Sequence, residues 1–355
     1  MSVVASLCYS HTIGTIFKQG TTRLLLLLPV IFLFLFVPLN LTTVHLGGST
    51  AFFVAWLSIF KLILFAFGRP PLSTNPPVAL SSFILLAFFS IKILSAKQHP
   101  YPQIAKKGHK SHIIFAVKAV IFATYMPIFQ RKVIINPKLF LVIYAVYMYI
   151  GLEIILASMA VLARAFLGVE LEPQFNEPYL CTSLQDFWGR RWNLVVSSIL
   201  RPTVNDPVSS ICSRLIGKNL LAQLVAVIVT FFVSGVMHEL MFHCIGRMKP
   251  TLELTCFFVL HGVCLALEIV VKKKLNGKWR LPAAVSVVAT VSFVVVTSLW
   301  LFFPSLMRCE AHIKAQRETL ALFEFMKSLC RTLRINKINH CVTLTFSLII
   351  NTIIN

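Results

Sequence analysis

Long apolar runs separated by short polar breaks dominate the chain. They lie near 22–44, 50–67, 78–95, 112–130, 138–163, 219–245, 252–272 and 283–303. Crossing the hydrocarbon core as a helix takes about 18–20 apolar residues, so each run reads as one span. The pattern therefore predicts an all-α polytopic membrane protein with about eight transmembrane helices. Leu24 to Leu41 is too extended for the core of a cleavable signal and is expected to stay as a span. The connection from Gly68 to Pro77 is rich in proline, which ends one helix and begins the next. A last apolar run, Cys341 to Ile354, is too short and too rich in Asn and Thr to count as a span. Val169 to Lys218 breaks the pattern. It carries Glu170, Glu172, Glu177, Asp186 and Asp206, five of the 12 acidic residues, with two Trp and several Arg. Phe187, Trp188 and Trp192 argue against disorder, and such aromatics favour the headgroup boundary, so re-entrant or interfacial helices are expected there.

Composition supports the membrane reading and narrows the partners. Hydrophobic residues make up 57% of the 355 residues and charged ones 13%. That is far from the soluble average of about 25% charged. The formal net charge is +21, but Lys and Arg sit in clusters between the apolar runs. Anionic lipid headgroups are the expected partner of such clusters, and nucleic acid is not. The basic residues divide evenly between the two sides of the bilayer, so they leave the orientation open. Nine cysteines without a C-x-x-C pair read as buried thiols, with neither a disulfide framework nor a zinc site.

Candidate chemistry begins at Phe232 to His243, where an apolar helix acquires His238, Glu239 and His243. Ionisable groups are expensive in hydrocarbon, which makes one inside a span a candidate functional group. Ser234 and Gly235 lie one turn before His238, leaving bulk out where a substrate or a neighbouring helix approaches. An imidazole with its ordinary pKa near about 6.5 can take a proton at neutral pH, which suits a general base; a packing histidine bonded to a neighbouring helix is the alternative. The zinc-protease pattern requires two His four residues apart, whereas His238 and His243 are five apart, so no metal is expected. Glu239 and His243 then read as orienting or solvating groups near the end of the span.

Ser183 to Asn193, followed by Arg201-Pro202, forms a second constellation. Arg190 and Arg191 between Trp188 and Trp192 suit anionic headgroups or a phosphorylated cofactor, or else ordinary interfacial anchoring. Asp186 lies in the same stretch, and Asn193 offers an amide able to donate to an oxyanion. His261 and Glu268, seven residues apart on one helix face, line the same cavity as His238 or neutralise each other; the structural reading is favoured. Intramembrane His and Glu also fit a transporter or channel that relays protons.

Together these residues resemble the plant wax synthase group of the membrane-bound O-acyltransferase family. The resemblance rests on Ser6-Leu7-Cys8-Tyr9, Arg23 to Asn40, His45-Leu46-Gly47-Gly48, Gln185 to Asn193, Arg201-Pro202, Ser234 to His238 and His261-Gly262. It implies one acyltransferase domain over 1–328, with a signature core at about 170–270 and an atypical tail over 329–355. It also implies that His238 is the catalytic residue and Asn193 the second characteristic position. Acyl-CoA is then the co-substrate, entering from the cytosolic side, with no permanently bound cofactor. The acceptor is a fatty alcohol or a sterol drawn from the membrane lipid, and the endoplasmic reticulum is the expected location. Members of the group commonly carry a further hydrophobic segment upstream of the part matching Ser6, so the chain is expected to be short there.

Overall fold

The computed structural model describes residues 2–74, 77–89, 117–118, 120–122, 137–167, 174–217, 219–276 and 281–332. Its elements are helical: α1 (Ser2–Ile16), α2 (Thr21–Phe36), α3 (Val44–Ala66), α4 (Leu80–Phe88) and α5 (Pro137–Leu167), then α6 (Asp206–Ile216), α7 (Leu220–Gly246), α8 (Glu253–Leu275), α9 (Ala283–Arg308) and α10 (Ala311–Thr332). Among the described residues six helices are long and apolar enough to cross a membrane: Thr21–Asn40, Val44–Ala66, Leu139–Ala165, Leu220–Gly246, Glu253–Leu275 and Ala283–Arg308. At about 1.5 Å per residue the shortest of these is about 30 Å long, the thickness of the hydrocarbon core. Large apolar side chains such as Phe32, Val288 and Trp300 stand more than half exposed, as lipid-facing residues do. The chain is an integral, polytopic membrane protein.

The expected count of eight spans is not reached among these residues. Near 78–95 the helix α4 stops at Phe88, and Phe89 takes an extended backbone (φ −84°, ψ 144°). Most of 112–130 lies outside the described residues. The stop at Phe89 has a cause in α3. Lys61 is fully buried, and its ammonium donates to the carbonyls of Leu86 (2.7 Å), Phe89 (2.6 Å) and Ala87 (3.4 Å). A cation at a helix C-terminus satisfies orphan carbonyls and meets the negative end of the dipole. Ser58 adds a bond to Ala87 O at 2.8 Å.

The helix α1 was hidden in the hydropathy pattern by its hydroxyls. Ser6, Ser10 and Thr12 donate to carbonyls four residues earlier and Thr15 to one three residues earlier, which hides their polarity inside the helix. Arg23 of α2 then ties three helices together, donating to Gly14 O (2.9 Å), Phe17 O (3.0 Å) and Phe65 O (3.1 Å) while lying 5.0 Å from the Phe65 ring centre.

The described residues form two compact units: 2–89 with 174–311, and 117–167 with 312–332. In the second, Lys118 pairs with Glu153 at 2.8 Å and Phe122 stacks on Tyr147 at 4.6 Å. An intramembrane lysine is thereby matched by a carboxylate. The first unit centres on α3, where 78% of the apolar stretch is buried inside the protein, against 11% for the peripheral α9.

Within the first unit α7 and α8 make a close pair. A Cβ on Gly235 would lie 2.7 Å from the Thr255 Cα, and one on Gly262 would lie 2.8 Å from the Phe231 Cβ. Gly235 thus admits the neighbouring helix rather than leaving room beside His238. Small residues let helix backbones approach this way where lipid offers no competing hydrophobic drive. Gly235→Val is expected to lower detergent-extracted folded protein and its Tm, because overpacking costs about 1–3 kcal/mol. Gly189→Ala, at an exposed position with nothing within 4 Å of the added Cβ, leaves both unchanged. Equal melting of the two variants would refute this packing.

Candidate active site

His238 sits in the C-terminal half of α7 with its ring walled by three aromatics from three other places. Phe258 of α8 stacks on it at 4.3 Å, the Trp56 edge of α3 lies at 4.8 Å and Phe302 of α9 at 6.1 Å. Its Nδ1 lies 2.7 Å from the Ser234 carbonyl oxygen. A carbonyl only accepts, so Nδ1 carries the proton and Nε2 keeps a lone pair. Among the described residues no hydrogen bond engages that Nε2. Ser234 contributes its main chain, and α3 and α9 widen into π-helical turns at the points that carry Trp56 (Ala51–Ser58) and Phe302 (Ser298–Phe302). Such bulges re-aim side chains and recur at functional sites.

The polar stretch expected to hold short helices does so, with helical turns at Leu184–Asp186, Phe187–Arg191 and Leu194–Leu200. It folds against itself. Asn176 N–H donates to Arg191 O and Leu194 N–H to Gln174 O, both at 2.9 Å. Asp186 takes the Arg191 Nε at 2.6 Å, and Arg191 also donates to Glu177 O at 3.1 Å. Arg191 is therefore committed inside the loop instead of standing open for a phosphate. Arg190 is exposed and makes no ion pair among the described residues. Trp192 stacks on Phe187 at 5.4 Å and meets Phe175 at 5.1 Å, so it fills the loop's own core.

Asn193 takes the left-handed conformation (φ 40°, ψ 65°), and its Oδ1 accepts from Val196 N–H at 3.3 Å, capping the turn that follows. Asparagine is among the few residues that tolerate both duties. The cap uses the oxygen and leaves the amide N–H groups without a partner among the described residues. No hydrogen bond joins Asn193 to His238.

His261 and Glu268 do not neutralise each other. Both hold the loop onto α8. His261 accepts from the Trp188 indole N–H at 3.2 Å. Glu268 accepts the main-chain N–H of Leu184 (2.8 Å) and Gln185 (3.3 Å), the first turn of a helix, where a carboxylate is favoured. Lys272 completes the clasp, bonding Glu268 at 2.7 Å and Ser183 Oγ at 3.0 Å. Glu239 repeats the device within the bundle: buried in α7, it accepts from Leu254 N–H (3.0 Å) and Thr255 N–H (3.3 Å) and so caps α8. His243 donates from Nδ1 to Met248 O at 2.7 Å and closes the turn after α7.

Sequence reading missed Trp56, Phe302 and Thr297. Trp56 carried a signal, since a tryptophan in the middle of an apolar run lies away from the interface that Trp prefers. Nothing distinguished Phe302 among 30 phenylalanines. Among the described residues no cluster of His, Cys, Asp and Glu could hold a metal ion, and the cysteines are free thiols, three of them buried.

The model of the membrane bound O-acyl transferase family matches residues 171–260, the stretch that contains both the loop and His238. The chain is 44% identical over 332 residues to the acyl-CoA–sterol O-acyltransferase 1 of Arabidopsis thaliana, covering 93% of this chain and 96% of the relative. It is 44% identical over 330 residues to the long-chain-alcohol O-fatty-acyltransferase of Simmondsia chinensis, covering 92% and 93%. A probable long-chain-alcohol O-fatty-acyltransferase 3 of Arabidopsis thaliana is 43% identical over 330 residues, covering 92% of this chain and 94% of the relative. These relatives are acyltransferases, which sets the transporter reading aside. With identity this high over almost the whole length, and with the family's matched segment enclosing the walled histidine, the chain belongs to the membrane bound O-acyl transferase family.

Proposed function

We propose that this protein transfers an acyl group from acyl-CoA to the hydroxyl of a long-chain fatty alcohol or a sterol, with His238 as general base. The observation that carries the reading is the free lone pair on His238 Nε2, held in one tautomer by Ser234 O inside an aromatic wall. In the reaction, Nε2 takes the proton of the alcohol and the alcohol oxygen attacks the thioester carbonyl. The tetrahedral oxyanion collapses, the C–S bond breaks, and the imidazolium returns its proton to the CoA thiolate. The products are ester and free CoA. A thioester is already activated, so orientation, proton removal and oxyanion stabilisation are what the protein must supply. Asn193 supplies the amide donor, through N–H groups that its cap leaves free. Acyl-CoA is a co-substrate that is consumed, its CoA leaving each cycle, the alcohol comes from the bilayer, and the endoplasmic reticulum is the membrane proposed.

The names of the relatives point to both acceptors, and lipid profiling separates them. Expressed in cells lacking neutral-lipid synthesis and fed hexadecanol or a sterol, the chain is expected to produce the corresponding ester on a single chromatogram. No ester from either acceptor, with the protein present in the membrane fraction, overturns the reading.

A further inference from the structure

Among the described residues, His261 is the buried histidine whose two ring nitrogens are both engaged by side chains from other segments. It is fully buried. An indole N–H only donates, so the 3.2 Å contact makes Nδ1 the acceptor of Trp188 Nε1–H and puts the ring proton on Nε2. That Nε2–H donates to Thr297 Oγ1 at 2.8 Å, and the Thr297 hydroxyl donates onward to Phe293 O at 2.7 Å. The three side chains form a directed chain from the loop, through α8, into α9.

Each end of this chain reaches the walls of His238. On the loop side, the Trp188 ring packs at 5.8 Å against Phe258, the residue that stacks on His238. The Trp188 carbonyl also accepts from Ser197 Oγ at 3.0 Å, in the turn that Asn193 caps. On the α9 side, Thr297 immediately precedes the π-helical turns Ser298–Phe302, which bring Phe302 to 6.1 Å from the His238 ring. Phe257, one residue before Phe258, lies against both His261 (4.3 Å) and Phe302 (5.5 Å).

We infer that His261 is a positioning residue, a two-sided clamp that fixes the Asn193-bearing loop and the Phe302 turn relative to His238 through Trp188 and Thr297. The inference deepens the reaction proposed above and rests on His238 being its base. The clamp touches neither reacting atom. Its effect is to hold the donor and the base in register, and a misplacement of about 1 Å costs on the order of a hundredfold in rate.

The test uses variants that remove one hydrogen bond while keeping the packing. Trp188→Phe deletes the indole N–H and retains a ring against Phe231 and Phe258. Thr297→Val deletes the hydroxyl at nearly constant volume, and Thr297→Ser keeps it. Membranes holding the full chain are assayed with palmitoyl-CoA and hexadecanol. Trp188→Phe and Thr297→Val are each expected to lower kcat roughly tenfold or more with KM changed by less than about twofold, and the double variant to fall no further than the worse single one, since both act through one imidazole. Thr297→Ser stays near the parent. Trypsin cleavage at the exposed Arg190 supplies a readout independent of turnover. In a His238→Ala background, Trp188→Phe and Thr297→Val are expected to speed it several-fold and Thr297→Ser to leave it unchanged.

Parent-like kcat in both deletions, or unchanged cleavage in both, overturns the clamp. So does an additive double variant. Failure of the base assignment looks different: His238→Ala would itself keep making ester, whatever the cleavage rates show.

Discussion

Replacing His238 by alanine is expected to lower ester formation by roughly 10²–10⁴-fold, the usual contribution of a positioned general base. Alanine also opens a hole among Trp56, Phe258 and Phe302, whose rings lie 4.3–6.1 Å from the imidazole. Some of the loss could then come from collapse of the walls. His238→Phe separates the two effects, because a phenyl ring keeps the stacking on Phe258 but has no lone pair. It is expected to be as inactive as the alanine variant while matching the parent in abundance and Tm. Ester that persists undiminished in His238→Ala would refute the mechanism.

The second large effect is expected at Asn193, and the structure decides which substitution reads it. Alanine would disturb the backbone twice. It would occupy the left-handed region at a cost of about 1–2 kcal/mol, and it would lose the cap on Val196, worth about 0.5–2 kcal/mol. A drop in activity would then report folding as much as chemistry. Aspartate tolerates the left-handed region and caps as well as asparagine, but it replaces the amide donor by a negatively charged carboxylate oxygen. Asn193→Asp is expected to keep normal abundance while turnover falls roughly 10²–10³-fold, as for a lost oxyanion donor. A fully active aspartate variant would remove Asn193 from the site.

Much of this protein is legible in one dimension, and the reasons are particular. His238 stood out because an ionisable group inside an apolar helix is costly enough to need a purpose. The loop stood out because its acids, arginines and tryptophans interrupt the hydropathy pattern. The roles inside the loop were not legible. Arg191 is read equally well as a phosphate ligand or as an interfacial anchor, until Asp186 at 2.6 Å and two loop carbonyls are seen to use it. Gly235 is equally compatible with a substrate cleft and a helix crossing, until the Thr255 backbone is found against it. Glu239 reads along the chain as an orienting or solvating group near the end of its span and Glu268 as a structural partner of His261, and both turn out to cap helices that begin elsewhere in the chain.

The sequence by itself determined that the chain is helical, that it spans the membrane several times and that His238 is its most conspicuous chemical group. Those properties follow from local quantities, namely the length of apolar runs and the cost of one polar side chain in hydrocarbon. Only the tertiary structure decided which ring nitrogen of His238 carries the proton, which aromatics wall it, and that His261 spans from Trp188 to Thr297. Each of these depends on a partner 20 to 182 residues away in the chain or on the direction of a single N–H. Hydrogen bonds and ring contacts are fixed by ångström-scale placement across helices, and no spacing along one helix encodes that placement.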